Sequence, residues 1–146
     1  MHDVLTKAPP AAVFKLVTDQ WTQPFWDAAR AHELKVPRCG DCGRFRMPPS
    51  PFCANCQSQH VQWVALNGRG TVYSYTIITT PVIPEAVDSV PYLPAIIEVE
   101  GAPGVRLISC VVGARVSDVR IGSRVAVNWD DLPDGVTVPR FNLCAP

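Results

Sequence analysis

The chain has 146 residues, enough for one ordinary domain or two small units sharing an interface. Hydrophobic residues make up 47% and charged residues 18%, which excludes a disordered chain, and 13 basic residues balance 13 acidic ones, which disfavours broad binding to nucleic-acid phosphates. Fifteen prolines favour loops and short strands over long helices, and no apolar run approaches the roughly 20 residues that cross a bilayer.

Taken from the start, Met1 to Pro10 lacks a charged leader followed by an apolar core, so no secretory signal is expected. A reducing, cytoplasmic setting follows. Residues 11–17 read equally well as a short helical turn or an irregular arm. A helix is predicted from Thr22 to about Lys35: Thr22 can cap, Pro24 sits in the first turn, and Ala28, Ala29 and Ala31 propagate it. Phe25, Ala28, Ala29 and His32 share one face. Trp21, Phe25 and Trp26 crowd its start and are expected to meet a partner subunit or a second copy.

Pro37 is expected to end this helix. Two Cys-x-x-Cys knuckles follow, Cys39 to Cys42 and Cys53 to Cys56, separated by ten residues. Four thiolates at that spacing can surround one tetrahedral ion, with sulfur about 2.3 Å from a zinc. Gly43 supplies the positive φ that such a knuckle needs. All four positions are filled by protein, so the site is structural and leaves no place for substrate. Zinc is the primary reading, tetrahedral sulfur also suits iron, and two disulfides are disfavoured in a reducing compartment.

Beyond Cys56 the period changes to two. Val61, Trp63 and Ala65 alternate, and Asn67 to Gly70 makes a turn. Thr71 to Thr80 reads as a strand with Val72, Ser74 and Thr76 on one face and Tyr73, Tyr75 and Ile77 on the other. Further strands are predicted at 94–100, 105–112, 124–129 and 136–143, with Asp130 to Gly135 as a turn. Five or six short strands over some 80 residues fit a small closed barrel, and a five-stranded OB barrel matches the count. Residues 1–36 are thus read as arm and helix, 37–60 as the ribbon, and 61–146 as the barrel.

No catalytic constellation emerges. His2, His32 and His60 are scattered and neighbour no nucleophile, and Gly68-Arg69-Gly70 is a turn rather than a phosphate loop. Glu98 and Glu100 share a strand face, which reads as solvated. Cys110 reads as a small buried hydrophobe. Tyr73 and Tyr75 could stack bases, but the basic residues are dispersed among acidic ones.

The ordered motifs Gln23-Pro-Phe-Trp26, Val36-Pro-Arg-Cys39-Gly-Asp-Cys42-Gly43, Met47-Pro-Pro49, Cys53-Ala-Asn-Cys56, Gly68 to Thr76, Pro91-Tyr92 and Val119-Arg-Ile-Gly122 resemble the acyl-CoA-associated zinc-ribbon/OB-fold proteins. The resemblance runs from about Trp21 to Phe141. It implies a mainly β fold: an N-terminal helix, a rubredoxin-like zinc ribbon and a C-terminal OB barrel. It implies Zn2+ on Cys39, Cys42, Cys53 and Cys56. Members accompany thiolases, hydroxymethylglutaryl-CoA synthase, steroid side-chain aldolases and C-acyltransferases. A non-catalytic subunit of a thiolase-like complex is therefore implied, with the catalytic residues on the partner and the acyl/CoA pocket shaped at the shared interface. Arg69 and Arg106 are candidates for a CoA phosphate. Gly101 to Arg106 departs from the family's tight acidic-glycine turn. The competing reading is a free-standing module that binds acyl-CoA or single-stranded nucleic acid.

Overall fold

Asp19, rather than Thr22, opens the helix. Its carboxylate accepts the backbone N–H groups of Trp21 and Thr22 at 2.8 and 2.9 Å, and its carbonyl accepts that of Gln23. Helix α1 then spans Gln23–Arg30. The computed structural model describes residues 4–13 and 15–145, so His2 and Phe14 lie outside the described residues. Before α1, Thr6 ties the arm to the barrel: its N–H reaches the Ala114 carbonyl, and its carbonyl accepts from Gly113. A 3-10 turn covers Ala11–Val13.

The predicted helix is too long. It stops at a left-handed turn at His32 (φ 58°), and Leu34–Cys39 becomes strand β1. Leu34 and Val36 are buried on alternate positions, and β1 pairs antiparallel with β2, Val61–Leu66, from Leu34↔Leu66 to Cys39↔Val61. Tertiary pairing thus overrides good local helix propensity. Pro37 does not break a helix here but sits inside β1, on the edge away from β2, where its carbonyl accepts the Arg46 N–H at 2.8 Å and no N–H of its own is required. Residues 61–66, expected within the barrel, belong instead to this ribbon sheet.

The barrel is built from β3 (Arg69–Tyr75), β4 (Leu93–Val99), β5 (Arg106–Val111), β6 (Arg124–Asp131) and β7 (Thr137–Leu143), closed in the order β3-β4-β5-β7-β6. This is the five-stranded OB architecture. Leu93, Ala95, Ile97 and Val99 turn inward along β4, and Val72, Val111, Val125 and Phe141 meet them in the core. Fully burying such side chains contributes roughly 1.5–3 kcal/mol each.

Two local departures matter. A bulge between Val72 and Ser74 shifts the register of β3 against β4, so the two expected faces do not persist: Tyr73 is exposed, while Tyr75 and Ile77 pack on the core beside Val72's side. Asp130 and Asp131 lie in β6 rather than in a turn, and the reversal comes at Leu132 to Val136. Strands β5 and β7 meet in a parallel pairing at Val111↔Phe141, and before it the Ser109 hydroxyl donates to the Pro139 carbonyl at 2.5 Å. Residues 137–141 of β7 are nonetheless buried on both faces. Phe141 faces the core, and α1 lies against the outer face that carries Val138 and Arg140.

Candidate metal centre and adjoining faces

The two knuckles are the same local structure used twice. Cys39 N–H donates to the Arg44 carbonyl (2.8 Å) as Cys53 N–H does to that of Ser58 (2.9 Å). Gly43 N–H donates to the Cys39 carbonyl as Gln57 N–H does to that of Cys53. The residue after each second cysteine is left-handed, Gly43 at φ 79° and Gln57 at φ 61°. This turn aims backbone N–H groups at sulfur: Cys42 N–H lies 3.5 Å from Cys39 Sγ and Asn55 N–H 3.4 Å from Cys53 Sγ.

The four sulfurs lie within 4.8 Å of one another, with Cys39–Cys56 and Cys42–Cys53 at 3.6 Å. A tetrahedron of sulfurs about 2.3 Å from a central zinc has edges of about 3.8 Å, so the donor set and its size fit such an ion. The electrostatics are uneven. The Cys42 N–H, helped by that of Asp41 and by Cys56, draws the Cys39 thiol down to about 6 against the effect of burial. Cys53 is lowered first by the Cys56 and Asn55 N–H groups. For Cys56, the Ser58 N–H pulls downward, but burial and three neighbouring sulfurs push it up to about 12. Four crowded thiols cannot all ionise without a cation between them.

Three side chains brace the knuckles. Asp41, between the first pair, accepts a short hydrogen bond from the Ser58 hydroxyl and lies 3.1 Å from His60 Nδ1. The Ser58 bond, then that of His60, holds the Asp41 carboxyl below its ordinary range. Although it contains Ser, His and Asp, this group is wired about the carboxylate, so the Ser58 hydroxyl bonds Asp41 and not the His60 imidazole. Arg46 is 6% exposed; its guanidinium donates to the Ser50 carbonyl at 3.2 Å and the Ser58 carbonyl at 3.0 Å. Nothing in the sequence marked Arg46, because an arginine between knuckles is ordinarily solvated.

The predicted aromatic face is divided by the fold. Phe25 is 6% exposed and belongs to the chain's own core, so it is not free to meet a partner. Trp26 packs edge-on against Phe25 at 5.1 Å between centroids, and Trp21 lines a small cleft with Pro37 and Trp63. Both tryptophans are half-buried. Arg106 stacks 3.8 Å over the Tyr73 ring and pairs with Glu98 at 3.3 Å. Arg69 is exposed at the start of β3, where its carbonyl accepts from Glu100. Arg124 approaches Glu100 at 3.7 Å, so the Glu98/Glu100 face is an exposed, charge-paired one. His32 stacks on Trp129 and bonds Asp131 at 2.9 Å. The Cys110 thiol is pushed up by burial.

Comparison with known proteins matches two family models, ChsH2 rubredoxin-like zinc ribbon domain over residues 26–62 and ChsH2 C-terminal OB-fold domain over residues 63–130. The chain is 35% identical over 125 residues to the 3-oxo-4,17-pregnadiene-20-carboxyl-CoA hydratase alpha subunit of Mycobacterium tuberculosis, covering 86% of this chain and 39% of that protein. It is 32% identical over 105 residues to a DUF35 domain-containing scaffold protein of Methanocaldococcus jannaschii, covering 68% and 72% respectively. Among solved structures, a chain of the Ltp2-ChsH2(DUF35) aldolase superposes with a TM-score of 0.81 at 29% identity, covering 90% of this chain and 100% of that one.

Proposed function

This chain belongs to the ChsH2 (DUF35) family, which joins a rubredoxin-like zinc ribbon to an OB-fold, and we propose that it is a non-catalytic subunit of a thiolase-like complex. The partner would be an acyl-CoA thiolase, an aldolase or a C-acyltransferase. This chain would hold that partner's fold and complete its acyl/CoA pocket. The observation that carries the reading is the match of 90% of this chain to the whole of a chain of an Ltp2-ChsH2(DUF35) aldolase. The wiring of Asp41, Ser58 and His60 supports it, since the imidazole bonds the carboxylate and not the hydroxyl.

In the proposed subunit Zn2+ is held by Cys39, Cys42, Cys53 and Cys56, and its role is to cross-link the knuckles. Trp21 and Trp26, both half-buried, are the proposed partner-facing part of the aromatic group. A CoA phosphate reaching Arg106 would compete with Glu98, whereas among the described residues no carboxylate pairs with Arg69. No helix among the described residues is long and apolar enough to cross a membrane, and a cytoplasmic setting is proposed with the rest.

The test is to purify the tagged chain at mild salt from cells that encode it, and to identify what elutes with it. A stoichiometric thiolase-like protein, lost with Cys39→Ser, is the expected result, because metal binding and folding are one equilibrium in so small a unit. A solitary zinc protein, or a complex indifferent to Cys39→Ser, would overturn the proposal.

A further inference from the structure

Strands β4 and β5 pair antiparallel, with Ile96 opposite Ile108 and Glu98 opposite Arg106. Side chains alternate along each strand, and Ile97 and Leu107 are buried in the core, so these four share the outer face of the barrel. That face is open. Ile108 is 83% exposed, the most of any large apolar side chain among the described residues, and Glu98 and Arg106 are about half exposed. Glu98 and Arg106 pair at 3.3 Å, and the guanidinium also stacks 3.8 Å over the ring of Tyr73 on β3, which adjoins β4. On the far side of β5 lies an apolar cleft of about 380 Å³, walled by Phe25, Trp26, Met47, Ile108 and Val138. The order across the face is an aromatic ring, two paired strands, then an apolar hollow.

From this we infer that the face pairs two copies of the chain about a twofold axis that runs along the strands between β4 and β5. Such an axis carries each residue of one strand onto its register partner in the other. Ile96 then meets Ile108 of the second copy, and Ile108 its Ile96, so apolar surface covers apolar surface. Glu98 faces the second copy's Arg106 and Arg106 its Glu98, so opposite charges meet in both directions. The same rotation takes Tyr73 across the axis, from the β3 side to the far side of β5, over the second copy's cleft. An aromatic ring seated in an apolar hollow is the usual anchor of an interface. Strands aligned in this way are an ordinary geometry for stacked sheets. An unrelated protein would need its own matching order of charge, apolar pair and ring, whereas a second copy has it by symmetry.

The inference concerns contacts between copies and does not rest on the assembly proposed above. It is tested by sedimentation equilibrium of the zinc-loaded full chain over a range of concentrations. The wild type should be a reversible dimer. Ile108→Asp, at a position too exposed to disturb the fold, should weaken it about tenfold or more, because a charge would be desolvated there. Glu98→Arg turns the charged pair wholly basic and Arg106→Glu turns it wholly acidic, so each variant alone should be monomeric. Mixed in equal amounts, the two should form a mixed dimer, since every charge again faces its opposite. That rescue separates pairing between copies from misfolding, which mixing does not repair. A wild type that stays monomeric at millimolar concentration, a dimer indifferent to Ile108→Asp, or variants that fail to pair when mixed would each overturn the assignment. So would a monomeric chain that loses its catalytic partner with Ile108→Asp, since the face would then belong to that partner.

Discussion

The matched knuckles invite one substitution in each. A non-glycine residue in the left-handed region costs roughly 1–2 kcal/mol, because its Cβ crowds the following carbonyl. Gly43 avoids that cost and Gln57 bears it. A Cβ built on Gly43 meets nothing within 4 Å, so Gly43→Ala introduces backbone strain and no clash. Its expected effect is about 1 kcal/mol, or about fivefold weaker zinc binding. Gly43→Asn should fall between glycine and alanine, since asparagine tolerates this conformation better. Gln57→Gly relieves similar strain but frees the unfolded chain by about 0.5–1 kcal/mol, leaving a net gain of at most about 1.5 kcal/mol. Zinc affinity is read by competition with a chromophoric chelator at fixed pH, and fold by thermal unfolding. A neutral Gly43→Ala, or a Gln57→Gly that weakens zinc as strongly as Gly43→Ala, would refute the idea that positive φ is what the knuckles require.

Gly70→Ala should unfold the barrel: its Cβ would lie 2.4 Å from the Glu98 carbonyl and 2.8 Å from Ile97 Cγ2, so β3 and β4 must part, at about 3 kcal/mol by thermal melt. Asp41→Asn tests the carboxylate brace. Because folding holds this carboxyl below its ordinary 3.8, its contribution is present above that pH and is lost as pH falls through the lower folded value. The difference in Tm between wild type and Asp41→Asn should therefore be constant near neutrality and shrink in acid; a constant difference throughout would refute it. Arg46→Ala removes charge-assisted bonds to three carbonyls and should cost about 3 kcal/mol, seen as faster zinc loss to a chelator.

The ribbon was legible because its information is local: four cysteines and Gly43 lie within 18 consecutive residues. The barrel was legible in outline because strands such as Leu93–Val99 keep a strict two-residue alternation. The failures share a cause. Residues up to Lys35 carry good helix propensity, yet Leu34 and Val36 are claimed by pairing with Leu66 and Val64, which no local window contains. The bulge after Val72 reverses the phase of Tyr75 without a glycine or proline to announce it. The helical spacing of Phe25 was read correctly, but only the fold shows that an apolar outer face of β7 awaits it.

The buried arginines carry this argument furthest, because the sequence treats both as surface charge. A guanidinium removed from water needs a counter-charge or a full set of acceptors. Arg46 makes no ion pair with a carboxylate among the described residues; it bonds carbonyls and lines the same cleft as Cys53. Four thiolates around a divalent ion carry an excess of two negative charges, and a neighbouring cation offsets part of it. Arg46 keeps a buried Nε without a hydrogen-bond partner, while its terminal nitrogens reach the carbonyls of Ser50, Ser58 and His60. Arg140 has only a distant Asp130 and an orphaned Nε. Both arginines thus bury an Nε without a partner, and what separates them is their compensation: Arg46 is held by three backbone carbonyls and Arg140 by a single carboxylate.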